Sequence, residues 1–377
     1  MIDLNRLTSK FEDAYRSKPR LFRAPGRINI IGEHTDHNEG FVLPCAIDFA
    51  TYVAAGVRGD RKIRVGSLNF DRTFEFDLDG PPLEKETAWV KYVQGVALIL
   101  ERSGYRLRGA DLLIDSDVPV GAGLSSSATL EISVAFALSR LSGYVVEGME
   151  LAKIGQTAEH EFAGVLSGIM DQFASVYGSV GNGLLLDCRS LEWSAVPLSD
   201  ANFIVCNTKV KHDLADGEYN VRRRQCDEAA KFFEVSSLRD LSKGIFEDRS
   251  YEMPEVLRRR ARHVISENHR VLDAVESLHA GDLKKVGELL TKSHASLRDD
   301  FEVSSKELDL MVEIASRQTG VFGARMMGGG FGGCTINLVE PKNASEFIEN
   351  VTSEYRIATG IECDIYRPKT SSGASEI

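Results

Sequence analysis

The sequence predicts a two-domain α/β protein, mixed in the α+β sense, and three observations carry that expectation. The chain has 377 residues of ordinary globular composition, 43% hydrophobic and 27% charged, which is more length than one hydrophobic core usually occupies. Short β-type runs alternate with helix-periodic stretches in the first half, whereas amphipathic helix dominates the second. A predicted strand also runs straight into a Gly/Ser loop that a predicted helix leaves. A boundary near 190–200 gives an N-terminal domain over 1–195 and a C-terminal domain over 196–368. The Ser- and Gly-rich stretch 369–377 is expected to be a disordered tail.

Along the chain, Arg20 to Gly26 ends one strand and Thr51 to Val57 begins another, which leaves the polar segment between them as loop. From 88 to 102, Trp89, Tyr92, Val93, Val96 and Leu100 recur at helical spacing and Gly104 supplies a stop. Asp111 to Asp115 reads as a strand, and Leu130, Val134, Leu138 and Leu141 mark one face of the helix after the Gly/Ser loop. A further helix carrying Leu151, Ile154, Ala158 and Phe162 ends at Gly164, and a short one is expected over 170–177. Phe203 to Cys206 begins a second α/β unit, followed by helices over 218–232, 254–278, 283–297 and 305–318 and a β-branched run from Cys334 to Val339.

A net charge of −11, from 45 basic and 56 acidic side chains, argues against nucleic acid as a partner, because neutralising phosphates needs a concentrated basic surface. The N-terminus lacks the apolar core of a signal peptide, and no stretch approaches the roughly 18 apolar residues of a membrane span. A cytoplasmic enzyme acting on a small molecule is therefore expected, with no membrane partner. The six cysteines are dispersed with no CxxC pair, so neither a zinc ribbon nor a disulfide framework is suggested.

The loop from Pro119 to Ala128 reads Pro-Val-Gly-Ala-Gly-Leu-Ser-Ser-Ser-Ala. Its glycines allow close backbone approach, and three hydroxyls stand where a helix begins. Outward N–H groups and the helix dipole there favour anionic oxygens, so a triphosphate would be held without a lysine beneath it. A flexible linker or a simple helix cap has the same composition. The strand before and the helix after argue against the linker, since flexibility has no use in such a turn. No GxxxxGK[ST] occurs. Gly328 to Gly333 matches GxGxxG literally, but a dinucleotide fingerprint must open a helix and this one leads into a strand. It is either a glycine hairpin or a loop that approaches the ligands.

Between Gly26 and His37 the chain gathers Arg27, Glu33, His34, Asp36 and His37. A metal-hydrolase reading of His34, Asp36 and His37 lacks a second ligand cluster. Hydrogen-bonding a polyol fits better, because rejecting the wrong epimer requires donors and acceptors at fixed angles. Asp171, in the first turn of the helix over 170–177, could accept a hydroxyl proton or merely cap the helix. By spacing alone Glu159 is an ordinary helix charge, and the run Arg222-Arg223-Arg224 is a solvated face or a set of structural ion pairs.

Together these residues resemble the galactokinase family, within the GHMP kinases that also act on homoserine, mevalonate and phosphomevalonate. The resemblance spans nearly the whole chain. Its motifs stand in order at Gly26 to Asp36, Pro119 to Ala128 and Gly328 to Gly333, with more specific stretches at Gly168 to Phe173, Glu218 to Cys226 and His263 to Asn268. It implies a ribosomal-S5-domain-2-like N-terminal domain packed on a ferredoxin-like C-terminal domain, with the site between them. It further implies phosphorylation of the C1 hydroxyl of α-D-galactose by ATP. Asp171 would be the general base, and Arg27 would stabilise charge on the phosphoryl group. Glu33, His34, Thr35, Asp36 and Tyr219 would hold the sugar. Gly121, Ala122, Gly123, Leu124, Ser125, Ser126 and Ser127 would hold the ATP phosphates, with Ser67 near the nucleotide, and Ser127 and Glu159 would bind Mg²⁺.

His37 stands where the family commonly carries Tyr, Glu39 where Gly is usual and Ser167 where Cys is frequent. The first two flank the sugar loop, so they bear on which sugar fits. Relatives act on N-acetylgalactosamine, galacturonate or arabinose, and Glu33 is the discriminator, meeting a 6-hydroxyl and repelling a 6-carboxylate. A catalytically silent galactose sensor is the rival from another class, opposed by the intact Ser125-Ser126-Ser127-Ala128 run and by Asp171. The sequence leaves the oligomeric state open.

Overall fold

The computed structural model describes residues 2–83, 88–198, 200–211 and 215–377. Helix α1 (Leu4–Tyr15) opens it, with the Asp3 carboxylate accepting the otherwise free N–H groups of Asn5 and Arg6. Strands β1 (Arg20–Ile31) and β2 (Phe41–Val57) pair antiparallel, and β3 (Lys62–Ser67) makes a hairpin with β4 (Arg72–Asp77). Helix α2 (Ala88–Arg102) leads to β5 (Ala110–Ser116), which lies parallel to β3 and antiparallel to β2. Helices α3 (Ser126–Leu141), α4 (Gly148–Ala158) and α5 (Met170–Tyr177) come next. The hairpin of β6 (Asn182–Asp187) and β7 (Trp193–Pro197) then pairs with the start of β2.

The loop between β1 and β2 is shorter than the polar stretch between Gly26 and Thr51 suggested. Pairing continues past Pro25 through a register shift, because Ile28, Ile30, Ile31, Val42 and Leu43 all turn into apolar cores. Only 32–40 remain as the turn that carries Glu33, His34 and Asp36.

The second sheet starts at β8 (Phe203–Lys211) and continues through α6 (Ala215–Phe232), α7 (Lys243–Arg249), α8 (Glu255–His279), α9 (Leu283–Ser296) and α10 (Lys306–Ser316). It is completed by β9 (Val321–Met327), β10 (Gly332–Val339), α11 (Ala344–Thr359) and β11 (Asp364–Tyr366), in the order β11-β8-β10-β9. With α6 to α10 taken as one enlarged crossover, this is the βαββαβ succession of a ferredoxin-like unit. Gly328 to Gly333 is the turn region of the β9–β10 hairpin, which explains why its glycines precede a strand.

Apolar packing ties the two sheets together. Ile28, Ile30 and Leu43 of the first share one cluster with Val205 and Ile336 of the second, and with Val271, Val275, Val286 and Leu290 from α8 and α9. The walls of the cleft between the domains are therefore parts of one core. Among the described residues no helix is long and apolar enough to cross a membrane.

The stretch 369–377, expected to be disordered, is ordered. Its β12 (Ser375–Glu376) adds a strand to β1, Ser371 N–H donates to the Ala46 carbonyl at 2.9 Å, and Arg20 grips Glu376 with two hydrogen bonds of 2.7 Å. Its small residues serve close approach. A Cβ on Gly373 would lie 1.9 Å from the Val176 carbonyl.

Candidate active site

The loop after β5 makes its turn through left-handed backbone at Gly121 (φ 74°), Gly123 (φ 70°) and Ser125 (φ 65°), and α3 starts at Ser126 with no side chain capping it. Its first N–H groups are thus available to an anion. Ala122 and Leu124 are buried in the core shared by the two sheets, which anchors the loop. Gly121, Gly123, Ser125, Ser126 and Ser127 line a cavity of about 990 Å³. Ala122 and Leu124, expected with their neighbours to hold the phosphates, turn their side chains into the core, which leaves their backbone N–H groups for that role.

Arg27, Glu33, His34, Asp36, Ser67, Glu159, Asp171 and Tyr219 line the same cavity, so residues far apart in sequence meet there. Thr35 does not. Its hydroxyl lies 2.8 Å from the Gly32 carbonyl and 2.7 Å from that of Phe41, so its side chain pins the turn.

At the centre, Arg27 Nε and Nη2 each donate to Asp171 at 2.9 Å, and Arg27 Nη1 donates to the Gly123 carbonyl at 2.5 Å. Ser125 Oγ donates to Asp171 Oδ2 at 2.6 Å. The candidate base is therefore fixed to the phosphate loop from two sides, in the first turn of α5.

Glu159 accepts from Ser127 Oγ at 3.0 Å, from Gln172 Nε2 at 3.2 Å and from Ser167 Oγ. Burial pushes its carboxyl up, against the pull of those hydroxyls. Among the described residues no group of three or more His, Cys, Asp or Glu is placed to hold a metal. A cation bound here would take the Glu159 carboxylate and the Ser127 hydroxyl and fill its shell with phosphate and water oxygens. Hard oxygen donors in such a mixed shell fit Mg²⁺. Behind Gln172 lies Glu131, fully buried and pushed well above the usual carboxylate range by burial and by Glu159.

The opposite wall belongs to both domains. Glu33 Oε1 accepts from the Gly328 N–H at 2.7 Å and from Arg325 Nη1 and Nη2 at 3.1 and 3.2 Å, while Asn29 donates to Oε2. Burial pushes the Glu33 carboxyl up, opposed chiefly by the guanidiniums of Arg325 and Arg27. His34, at φ 62°, contacts the Gly329 carbonyl through Nε2 at 3.3 Å; burial and the neighbouring His37 and His263 hold it well below its ordinary value. Burial pushes the Asp36 carboxyl up, but the hydrogen bonds and charge of His37, together with the charge of His34, outweigh it and hold Asp36 below the usual range. Tyr219 from α6 closes this side, its hydroxyl 3.1 Å from His37 Nδ1. The glycine hairpin thus approaches the candidate sugar residues directly.

At the far end, Ser67 and Asn69 sit beside Phe70 and Trp89, whose rings stack at 5.8 Å. A flat apolar face beside an anion loop suits a nucleobase. Two departures from the family pattern resolve differently. Glu39 points to the surface and pairs with Arg189 at 2.8 Å, away from the cavity, because left-handed backbone at φ 56° turns it outward. Ser167 takes part in the Glu159 cluster.

Arg325, fully buried on β9, escaped the sequence reading. It also donates to the Ile30 and Asn29 carbonyls at 2.9 and 2.5 Å, tying the second sheet to β1. A lone arginine within Val321-Phe322-Gly323-Ala324-Arg325-Met326-Met327 was the available signal, since a charge inside a buried strand must have a partner.

Comparison with known proteins adds three matched regions. A galactokinase galactose-binding signature covers residues 9–57, a GHMP kinases N terminal domain covers 91–179, and a GHMP kinases C terminal domain covers 274–357. A galactokinase of Chloroflexus aurantiacus is 46% identical over 96% of this chain and 94% of its own, and one of Clostridium perfringens is 43% identical over 100% of both. The crystal structure of Lactococcus lactis galactokinase complexed with galactose superposes with a TM-score of 0.96 at 40% identity, covering 99% of this chain and 100% of that one. Methanococcus jannaschii mevalonate kinase, at 18% identity and a TM-score of 0.67 over 95% of this chain and 100% of its own, shares the fold.

Proposed function

Because the chain belongs to the galactokinase family of the GHMP kinases, we propose that it transfers the γ-phosphoryl group of ATP to the anomeric hydroxyl of α-D-galactose. The observation that carries this reading is the Asp171 carboxylate, held by Arg27 and Ser125 between the phosphate loop and the Glu33, His34, Asp36 and Tyr219 wall. A sugar on that wall presents a hydroxyl to Asp171, while a triphosphate on Gly121 to Ser127 presents its terminal phosphorus.

Asp171 takes the C1 hydroxyl proton as the sugar oxygen bonds to the γ-phosphorus, and the bond to the β–γ bridging oxygen breaks, releasing ADP. Arg27 orients Asp171 and supplies positive charge beside the phosphate loop, where the transferring group gathers negative charge. Ser127 and Glu159 would hold Mg²⁺, which when bound neutralises phosphate charge. The α3 N-terminus receives phosphate oxygens, and the apolar face beside Phe70 and Trp89 takes the adenine. Glu33 accepts from the galactose 6-hydroxyl and would repel a 6-carboxylate, which favours galactose over galacturonate.

Product analysis by ³¹P and ¹H NMR tests this. Galactose and MgATP should give one sugar phosphate with phosphorus coupled to the anomeric proton. Phosphate at C6, or no sugar phosphate, would overturn the assignment.

A further inference from the structure

His37 does not line the cavity, yet its side chain has no solvent exposure and it touches two residues that do. Its Nδ1 lies 3.1 Å from the Tyr219 hydroxyl and 3.4 Å from Asp36 Oδ1, while its Nε2 is buried with no hydrogen-bond partner among the described residues. The ring also stands edge-on to Tyr219, with centroids 5.4 Å apart.

Those contacts choose between the two neutral tautomers. A proton on Nε2 would be a buried donor with no acceptor, and it would leave the bare Nδ1 lone pair facing a carboxylate. A proton on Nδ1 points at the Tyr219 oxygen and lies beside the Asp36 carboxylate, and the unpartnered atom is then an acceptor, the cheaper kind of orphan. With its oxygen facing the Nδ1 proton, Tyr219 has its own O–H left to donate into the cavity.

We infer that His37 is a positioning residue for the sugar: as the Nδ1–H tautomer it couples Asp36 to Tyr219 and turns the Tyr219 hydroxyl into a donor aimed at a sugar oxygen. Asp36 and Tyr219 then present complementary chemistry, one accepting and one donating, as the two sides of a secondary alcohol require. The inference rests on the galactose reading, and it assigns a use to a residue by which this chain departs from its family's usual tyrosine. An imidazole supplies the Nδ1 donor at the second carbon from Cα, where an asparagine amide can stand in for it and a leucine cannot.

The test compares wild type, His37→Asn and His37→Leu by steady-state kinetics with galactose and with ATP, alongside Tyr219→Phe and the His37→Leu/Tyr219→Phe double variant. Loss of one oriented hydrogen bond should raise the galactose KM of His37→Leu about tenfold with the ATP KM unmoved, and His37→Asn should stay within about twofold of wild type. In the Tyr219→Phe background, His37→Leu should add little, because the hydroxyl that it positions is gone. An unchanged galactose KM in His37→Leu, an equal defect in His37→Asn, or full additivity with Tyr219→Phe would overturn the inference. If His37→Leu does not fold, His37→Asn and Tyr219→Phe decide: a galactose KM raised tenfold in the first or unmoved in the second would refute it. Failure of the galactose reading itself would show separately, as a wild type that does not turn galactose over.

Discussion

Arg27 holds Asp171 by two parallel hydrogen bonds of 2.9 Å, so the guanidinium expected at the phosphoryl group and the carboxylate expected at the sugar form one unit. Fork-to-fork geometry fixes the plane of the carboxylate, and Ser125 on Oδ2 fixes its remaining freedom. Position is most of what phosphoryl transfer asks of a protein, and the pair supplies it from β1 and α5 together.

Asp171→Asn keeps the size of the side chain but removes its capacity to take a proton and one of the two acceptors that Arg27 uses. The expected result is a kcat lower by about 10²–10⁴-fold with a galactose Kd within a few-fold of wild type. A coupled ADP assay and calorimetric titration of galactose measure the two; near-normal turnover would remove Asp171 from its role.

Gly168→Ala tests the sugar wall through sterics alone. A Cβ at 168 would lie 2.1 Å from Asp36 Oδ2, so the carboxylate must swing away. Losing its charge-assisted hydrogen bond to the sugar should raise the galactose KM about 10- to 100-fold and leave the ATP KM near its original value. An unchanged galactose KM would show that Asp36 does not hold the sugar.

Arg325→Met tests the buried ion pair. It strands the Glu33 carboxylate, 2% exposed, without its cation, which should cost about 3–5 kcal/mol of stability. The double variant Arg325→Met/Glu33→Gln should recover part of that. Urea unfolding followed by circular dichroism reads both, and two additive losses would refute the coupling.

Acid should act on His263. Burial pushes it down to about 4 from 6.5, while its ring nitrogens contact Ser296 Oγ at 2.9 Å and the Glu33 carbonyl at 3.1 Å. Its folded value lies below its unfolded one, so the unfolded chain binds the proton first and stability is lost as pH falls from 6.5 towards 4. One such group gives a slope of up to about 1.4 kcal/mol per pH unit. Glu131 and Glu159, whose values are raised, act with the opposite sign and regain stability as pH falls. The signature is therefore a difference: His263→Gln should be less stable at neutral pH yet show a shallower decline across that window. Parallel curves for variant and wild type would contradict it.

Much of the site was legible because its logic is local. The strand, glycine turn and helix around Pro119 to Ala128 announce an anion site in one short stretch, and the helical spacing from Trp89 to Leu100 places α2. What escaped depends on contacts across long separations or on which way a side chain turns. Arg325 meets Glu33 from 292 positions away. Thr35, Ala122 and Leu124 belong to motifs, but only packing decides that their side chains go to the turn and the core. Ser and Gly in 369–377 resemble a linker until Gly373 is seen pressed against Val176.

Galactose kinase activity is decided by ATP consumption of the purified protein with galactose, N-acetylgalactosamine, galacturonate, arabinose and glucose, each with and without Mg²⁺. Mg²⁺-dependent ADP release is expected, with the highest kcat/KM for galactose and near-background rates for galacturonate, whose 6-carboxylate would face Glu33. Preference for any other sugar in the panel, or galactose bound without ADP release, would contradict it.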